Sequence, residues 1–133
     1  MAPNEQKWNS WTSPKKSHHD LLRNIDREQS EGNLIILLID ANTSRHDKNG
    51  IVNQLKLQQG LIEAIETKHE TPTYQRGTTQ IDFILCSPQL RPFIRYNTIQ
   101  PFGEICGSDH KIMIIDIDLP HLKLQKKSNT GEK

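Results

Sequence analysis

Three stretches of this 133-residue chain set oxygen and nitrogen donors against the ends of apolar runs. Asp40 closes the run Leu34–Ile39, and Asn42 follows two residues later. Asp82 stands between Ile81 and Phe83, and Ser108-Asp109-His110 leads directly into the apolar segment Lys111–Leu119. A carboxylate bonded to one imidazole nitrogen fixes the tautomer and raises the basicity of the other nitrogen. That is what a general base needs to activate water. Carboxylates beside it can hold a hard cation, which prefers oxygen ligands. Asp82 is paired with His110 on this reading, Asp109 and Asp40 are candidate metal ligands, and Asn42 adds an amide donor. Simpler roles exist for each. Asp and Asn open turns by bonding their own backbone, and Asp82 among apolar neighbours could equally be answered by a lysine or arginine.

These residues need strands to bring them together. Asn33–Asp40 is an unbroken, isoleucine-rich run, the pattern of a strand covered on both faces. Its carboxyl end is where open α/β sheets carry their sites. Ile81–Cys86 reads as a second strand, with Ile81, Phe83 and Leu85 on one face and Asp82, Ile84 and Cys86 on the other. Arg91–Ile99 is a weaker third strand, because Pro92 suits only a strand start or an edge. Lys111–Leu119 is the fourth, stopped by Pro120. A helix is expected over about 17–29, with Ser17 as N-cap, Asp20 three residues on and Gly32 as the stop. A second helical pattern starts at Ile51, Val52 and Leu55, breaks at Gly60 and resumes through Leu61, Ile62 and Ile65. Pro72 holds Thr71–Tyr74 extended. The chain thus divides into an irregular segment 1–16, a folded α/β unit 17–119 and a disordered basic tail 120–133.

Composition narrows the classes of function. The length suits one domain. The formal net charge of +1 lacks the basic excess of a protein that grips many phosphates, so any nucleic-acid contact must be local. Cys86 and Cys106 fall in no zinc or CxxC spacing and read as buried, reduced thiols. The first residues have no apolar core of a leader, and Leu34–Ile39 is too short to span a bilayer. A soluble intracellular protein without membrane contact is expected.

Asp40-Ala-Asn42 after an apolar strand, Pro72-Thr73-Tyr74, Ile81-Asp82-Phe83-Ile84 and Ser108-Asp109-His110 resemble, in order, the motifs of the endonuclease/exonuclease/phosphatase superfamily. Tyr74–Gly77 and Ile115–Asp118 look closest to its retroelement-associated endonucleases. The resemblance covers roughly residues 30–119. It implies a metal-dependent phosphodiester hydrolase, in first place an endonuclease acting on DNA with Mg²⁺ or Mn²⁺. His110 would be the general base or phosphate-polarising group and Asp82 would orient it. Asp40 would align the attacking water, Asn42 and Arg76 would contact the phosphate, and Asp109 would lie near the metal. Arg76 also reads as an ordinary solvated arginine. Ile39 stands where the family's motif carries glycine.

Domains of that superfamily run to about 250 residues, so the resemblance implies the C-terminal half of a four-layer α/β sandwich, a mixed sheet with flanking helices. The glutamate that is the family's main metal ligand has no counterpart in context here. Half a sandwich would bare the inner face of its sheet, for a partner or a second copy to cover. Two readings follow: a hydrolase that is weak or inactive alone, or an inactive remnant acting as a binding module.

Overall fold

The computed structural model of the chain describes residues 14–103 and 107–121. In chain order they form α1 (Pro14–Ser30), β1 (Ile36–Asp40), α2 (Ile51–Gln59), β2 (Ile62–Glu63), β3 (Asp82–Cys86), a 3-10 turn (Pro88–Phe93), β4 (Ile94–Ile99) and β5 (Met113–Ile117). The strands make a three-stranded sheet in the order β1-β3-β2 and a two-stranded sheet of β4 and β5. Helices and small sheets together make a mixed α/β unit. Every strand pairing is antiparallel, which corrects the expectation of a mixed sheet.

Helix α1 starts at Pro14, ahead of the expected N-cap at Ser17. Proline suits a first helical turn, where its fixed φ is helical and its missing N–H has no partner to lose. The expected stop holds. Gly32 takes φ 83° and its N–H bonds the Gln29 carbonyl, while the Asn33 N–H reaches back to Glu28. From the expected stripe, Ile25 is buried, with Leu21 and Leu22 packed at the edge of the same cluster.

In α2, Ile51, Val52 and Leu55 are fully buried against Phe83 and Leu85. The helix does not resume after Gly60. Gly60 adopts φ 66° and its N–H caps the Leu55 carbonyl, a left-handed ending that redirects the chain. Ile62 and Glu63 then pair with Cys86 and Leu85 of β3.

Strand β3 organises the core. Phe83 and Leu85 face the helices, while Ile84 and Cys86 face β4 and β5 through Ile94, Ile99, Met113 and Ile115. This is the alternation read from the sequence. Strand β1 departs from it. Leu34, Ile36 and Leu38 are exposed, Leu38 by 70%, so the run is not covered on both faces. β1 is an edge strand, and the second sheet packs on the part of that face carried by β3 and β2. The third strand begins at Ile94, later than expected, because Pro88 and Pro92 favour the 3-10 turn before it.

No helix among the described residues is long and apolar enough to cross a membrane. Cys86 is buried and unpaired, and burial pushes its thiol pKa up. Residues 1–13, Cys106 and the tail beyond His121 lie outside the described residues.

Candidate active site

Antiparallel pairing of β1 with β3 sets Asp40 directly opposite Asp82. The carboxyl end of β1 and the amino end of β3 are therefore one place. Asp82 is the first residue of its strand, close to its expected place near the start of Ile81–Cys86. The third member arrives through a bridge between two loops. Tyr74 pairs with His110, the Gln75 N–H bonds the Asp109 carbonyl, and the Lys111 N–H bonds the Thr73 carbonyl. The Tyr74 ring lies 5.0 Å from the imidazole, tilted by 35°. Extended chain over Thr71–Tyr74, set by Pro72, is what allows that pairing.

His110 Nδ1 lies 2.9 Å from Asp82 Oδ2. An ionised carboxylate only accepts, so Nδ1 carries the proton and Nε2 presents a lone pair when the ring is neutral. Nε2 faces Asp40 Oδ2 and Asp109 Oδ1, each at 4.0 Å. Neither is within hydrogen-bonding distance. The bond to Asp82 raises the His110 pKa above its ordinary 6.5 against some desolvation, and the charges of Asp82, Asp40 and Asp109 add to it.

Asp40 divides its two oxygens. Oδ1 accepts the Asn42 N–H at 3.1 Å, and Oδ2 faces His110. The turn-forming role and the site role therefore coexist in one side chain. Asn42 sits at φ 53°, a left-handed conformation that asparagine tolerates better than most residues. Its exposed side chain does not line the cleft that holds the other three. Arg76 is likewise exposed and outside that cleft. Asp40, Asp82 and His110 are the residues whose donor atoms all approach within 4.8 Å of one another, close enough to share a cation. Asp109 is a neighbour of that group rather than part of it.

The cleft is open, about 450 Å³, with Leu38, Ile84 and Met113 along its apolar side and Lys111 at its rim. Lys111 Nζ stands 4.7 Å over the Phe102 ring, a cation–π contact that keeps a positive charge near the site. A larger cleft of about 670 Å³ lies over Arg45, Glu63 and Glu70, whose charges already answer one another.

Two residues that position the site carry no catalytic signature in the sequence. Thr73 is fully buried, and its Oγ1 accepts the N–H groups of both Ile81 and Asp82. Since its carbonyl also binds Lys111, this one residue ties the start of β3 to the His110 loop. Gln80 is 1% exposed and donates to the Asp82 carbonyl. Its Oε1 accepts from Arg45, which also forks onto Glu63 and reaches Glu70. Membership of Thr73 in the Pro72-Thr73-Tyr74 motif was the one available signal, though it assigned the residue no role; the Arg45 cluster had none.

No family model matches the chain, and no curated protein does either.

Proposed function

We propose that this chain is a metal-dependent phosphodiester hydrolase of the endonuclease/exonuclease/phosphatase type, acting on DNA, and that its α/β unit is the C-terminal half of a four-layer sandwich. The observation that carries this reading is the 2.9 Å contact between His110 Nδ1 and Asp82. It leaves Nε2 aimed at a solvent-open space bordered by Asp40 and Asp109.

In this mechanism His110 Nε2 takes a proton from water as the water oxygen bonds to phosphorus and the opposite P–O ester bond breaks; Asp82 steadies the imidazolium that forms, and the leaving oxygen takes a proton from solvent. Asp40 Oδ2 lies on the same side and orients that water. Three carboxylates face the site, and an anionic phosphodiester would be repelled without a counter-charge. Lys111 offsets part of that field. The exposed oxygens of Asp40 and Asp109 suit a hard cation that keeps most of its water. When bound, Mg²⁺ or Mn²⁺ supplies neutralisation and polarises a phosphoryl oxygen. Asn42 and Arg76, both exposed on loops, are assigned to the phosphate backbone on either side.

The test is nicking of supercoiled plasmid by the full chain in Mg²⁺, in EDTA and as His110→Ala. Nicking should require the metal and fall by about 10²–10⁴-fold in the variant, the usual contribution of a general base. Equal nicking by wild type and variant would sink the mechanism. The exposed Leu38 and Ile36 of β1 favour a second reading, an inactive binding module using that face. Absence of any Mg²⁺-dependent nicking decides for it.

A further inference from the structure

The donor set around His110 is a poor match for Mg²⁺ alone and a good one for a softer cation. Its imidazole is held from Nδ1 by a carboxylate, Asp82, at 2.9 Å. That is the arrangement by which metal-binding histidines are oriented and made more basic. Among the described residues its other nitrogen has no hydrogen-bond partner, but two carboxylate oxygens, from Asp40 and Asp109, lie 4.0 Å from it. Such a gap is too long for a direct hydrogen bond; a tetrahedral ion bonded to both groups sets them about 3.3–3.5 Å apart, a distance the exposed Asp40 side chain reaches by a small rotation. Mg²⁺ demands oxygen ligands and sheds water reluctantly, whereas imidazole suits zinc and its neighbours.

We propose that His110 Nε2 and Asp40 form a binding site for a borderline divalent ion, Zn²⁺ above Mn²⁺ and both above Mg²⁺, with Asp82 as the orienting carboxylate. Such an ion occupies the lone pair that general-base chemistry uses. Zn²⁺ is thus an inhibitor of the site at concentrations where Mg²⁺ supports it. That inhibitory consequence rests on the hydrolytic reading above; the binding does not.

The contrast with the pair at His121 sharpens the choice. His121 Nδ1 also meets a carboxylate, Asp118, but Arg95 neutralises that group and, among the described residues, no second carboxylate faces the ring. Of the two pairs, only His110 has acidic side chains on both of its nitrogens.

The experiment titrates the metal-free full chain with Zn²⁺, Mn²⁺ and Mg²⁺. Calorimetry measures affinity, and imidazole ¹⁵N NMR reports which ring and which nitrogen responds. Zn²⁺ should shift His110 Nε2 before any other imidazole nitrogen and bind at least tenfold more tightly than Mg²⁺. His110→Ala and Asp40→Asn should each remove that site, and Asp82→Asn should weaken it by about 10–100-fold, the usual effect of losing an orienting carboxylate. Asp40 is exposed, so Asp40→Asn reports on binding even if His110→Ala unfolds the chain. An unmoved His110 resonance, equal affinity for Zn²⁺ and Mg²⁺, or unchanged Zn²⁺ affinity in Asp40→Asn overturns the proposal. His110-dependent Zn²⁺ binding in a chain that never nicks DNA upholds it while refuting the hydrolytic reading. Nicking that depends on His110 but is indifferent to Zn²⁺ does the reverse.

Discussion

Two clusters of charged residues flank the start of β3, one balanced in charge and one acidic, and they are built in opposite ways. Around Arg45 all three guanidinium nitrogens donate. Its guanidinium takes Glu63 with Nε at 3.1 Å and Nη2 at 2.8 Å, Glu70 with Nη1 at 2.6 Å, and the Gln80 amide at 2.7 Å. Lys56 closes on the same Glu63, and the guanidinium stands 5.6 Å over the Phe83 ring. Around His110, by contrast, one nitrogen is satisfied and the other is left facing carboxylates it does not touch. A closed cluster holds a fold in place. An open one has a valence left for substrate, proton or ion. Counting charged residues would rank the first cluster higher, and counting unfilled donors and acceptors ranks the second.

The largest expected effect on stability comes from breaking the closed cluster. In Arg45→Ala, half-buried Glu63 and exposed Glu70 lose the partner they share, and Gln80 Oε1 loses the donor it accepts from. Removing one member of a fully buried pair costs about 3–5 kcal/mol; this pair is only partly buried and Lys56 offsets part of the loss, so a smaller cost of about 2–3 kcal/mol is expected in urea unfolding. His110→Ala in the open cluster should change the same midpoint far less while removing activity. If the two variants destabilise the chain equally, the distinction between closed and open clusters fails.

A smaller effect lies within the open cluster. Thr73→Val keeps shape and burial but removes the oxygen that accepts two N–H groups at the head of β3. Leaving buried donors unsatisfied costs about 1–3 kcal/mol. Because the same residue also holds the His110 loop, this variant should weaken the Asp82–His110 contact as well, seen as an upfield move of the Nδ1 proton resonance. Thr73→Ser should restore both. Loss of stability with an unmoved proton resonance would mean that Thr73 braces β3 alone.

The open cluster was the more legible of the two from sequence, for a physical reason. Its members sit next to strand ends, at Asp40, Asp82 and His110, where an apolar run makes a polar residue conspicuous. The alternation through Phe83, Ile84, Leu85 and Cys86 likewise fixed which face meets which layer. Arg45, Glu63, Glu70 and Gln80 are scattered through loops and a two-residue strand, and nothing in their spacing announces that one guanidinium gathers them. The helix expected beyond Gly60 failed similarly. Apolar residues at Leu61, Ile62 and Ile65 fit a helical spacing, but the left-handed turn at Gly60 and pairing with β3 decide the outcome. Coverage of β1 failed because periodicity reports that a face is apolar and cannot report that the second sheet stops short of it.

The smallest effect is on pH dependence, and the two clusters carry it with opposite signs. Burial pushes the Glu63 carboxyl up, but hydrogen bonds from Arg45 and Lys56 outweigh it and hold its pKa below the ordinary 4.5. A carboxyl lowered on folding contributes stability that is present above about 4.5 and lost as the pH falls through the folded value. His110 is raised above 6.5 by its bond to Asp82. Its contribution is complete below 6.5 and is lost as the pH rises through the raised value. Thermal unfolding of the metal-free chain should therefore show a shallow maximum between these limits. Glu63→Gln should flatten the acid limb, and Asp82→Asn the alkaline one. Each substitution should leave the other limb in place, since the groups belong to separate networks. An Asp82→Asn chain whose alkaline limb is unchanged would show that the imidazole is not held by that carboxylate in solution. The geometry on which the hydrolytic reading stands would then be absent.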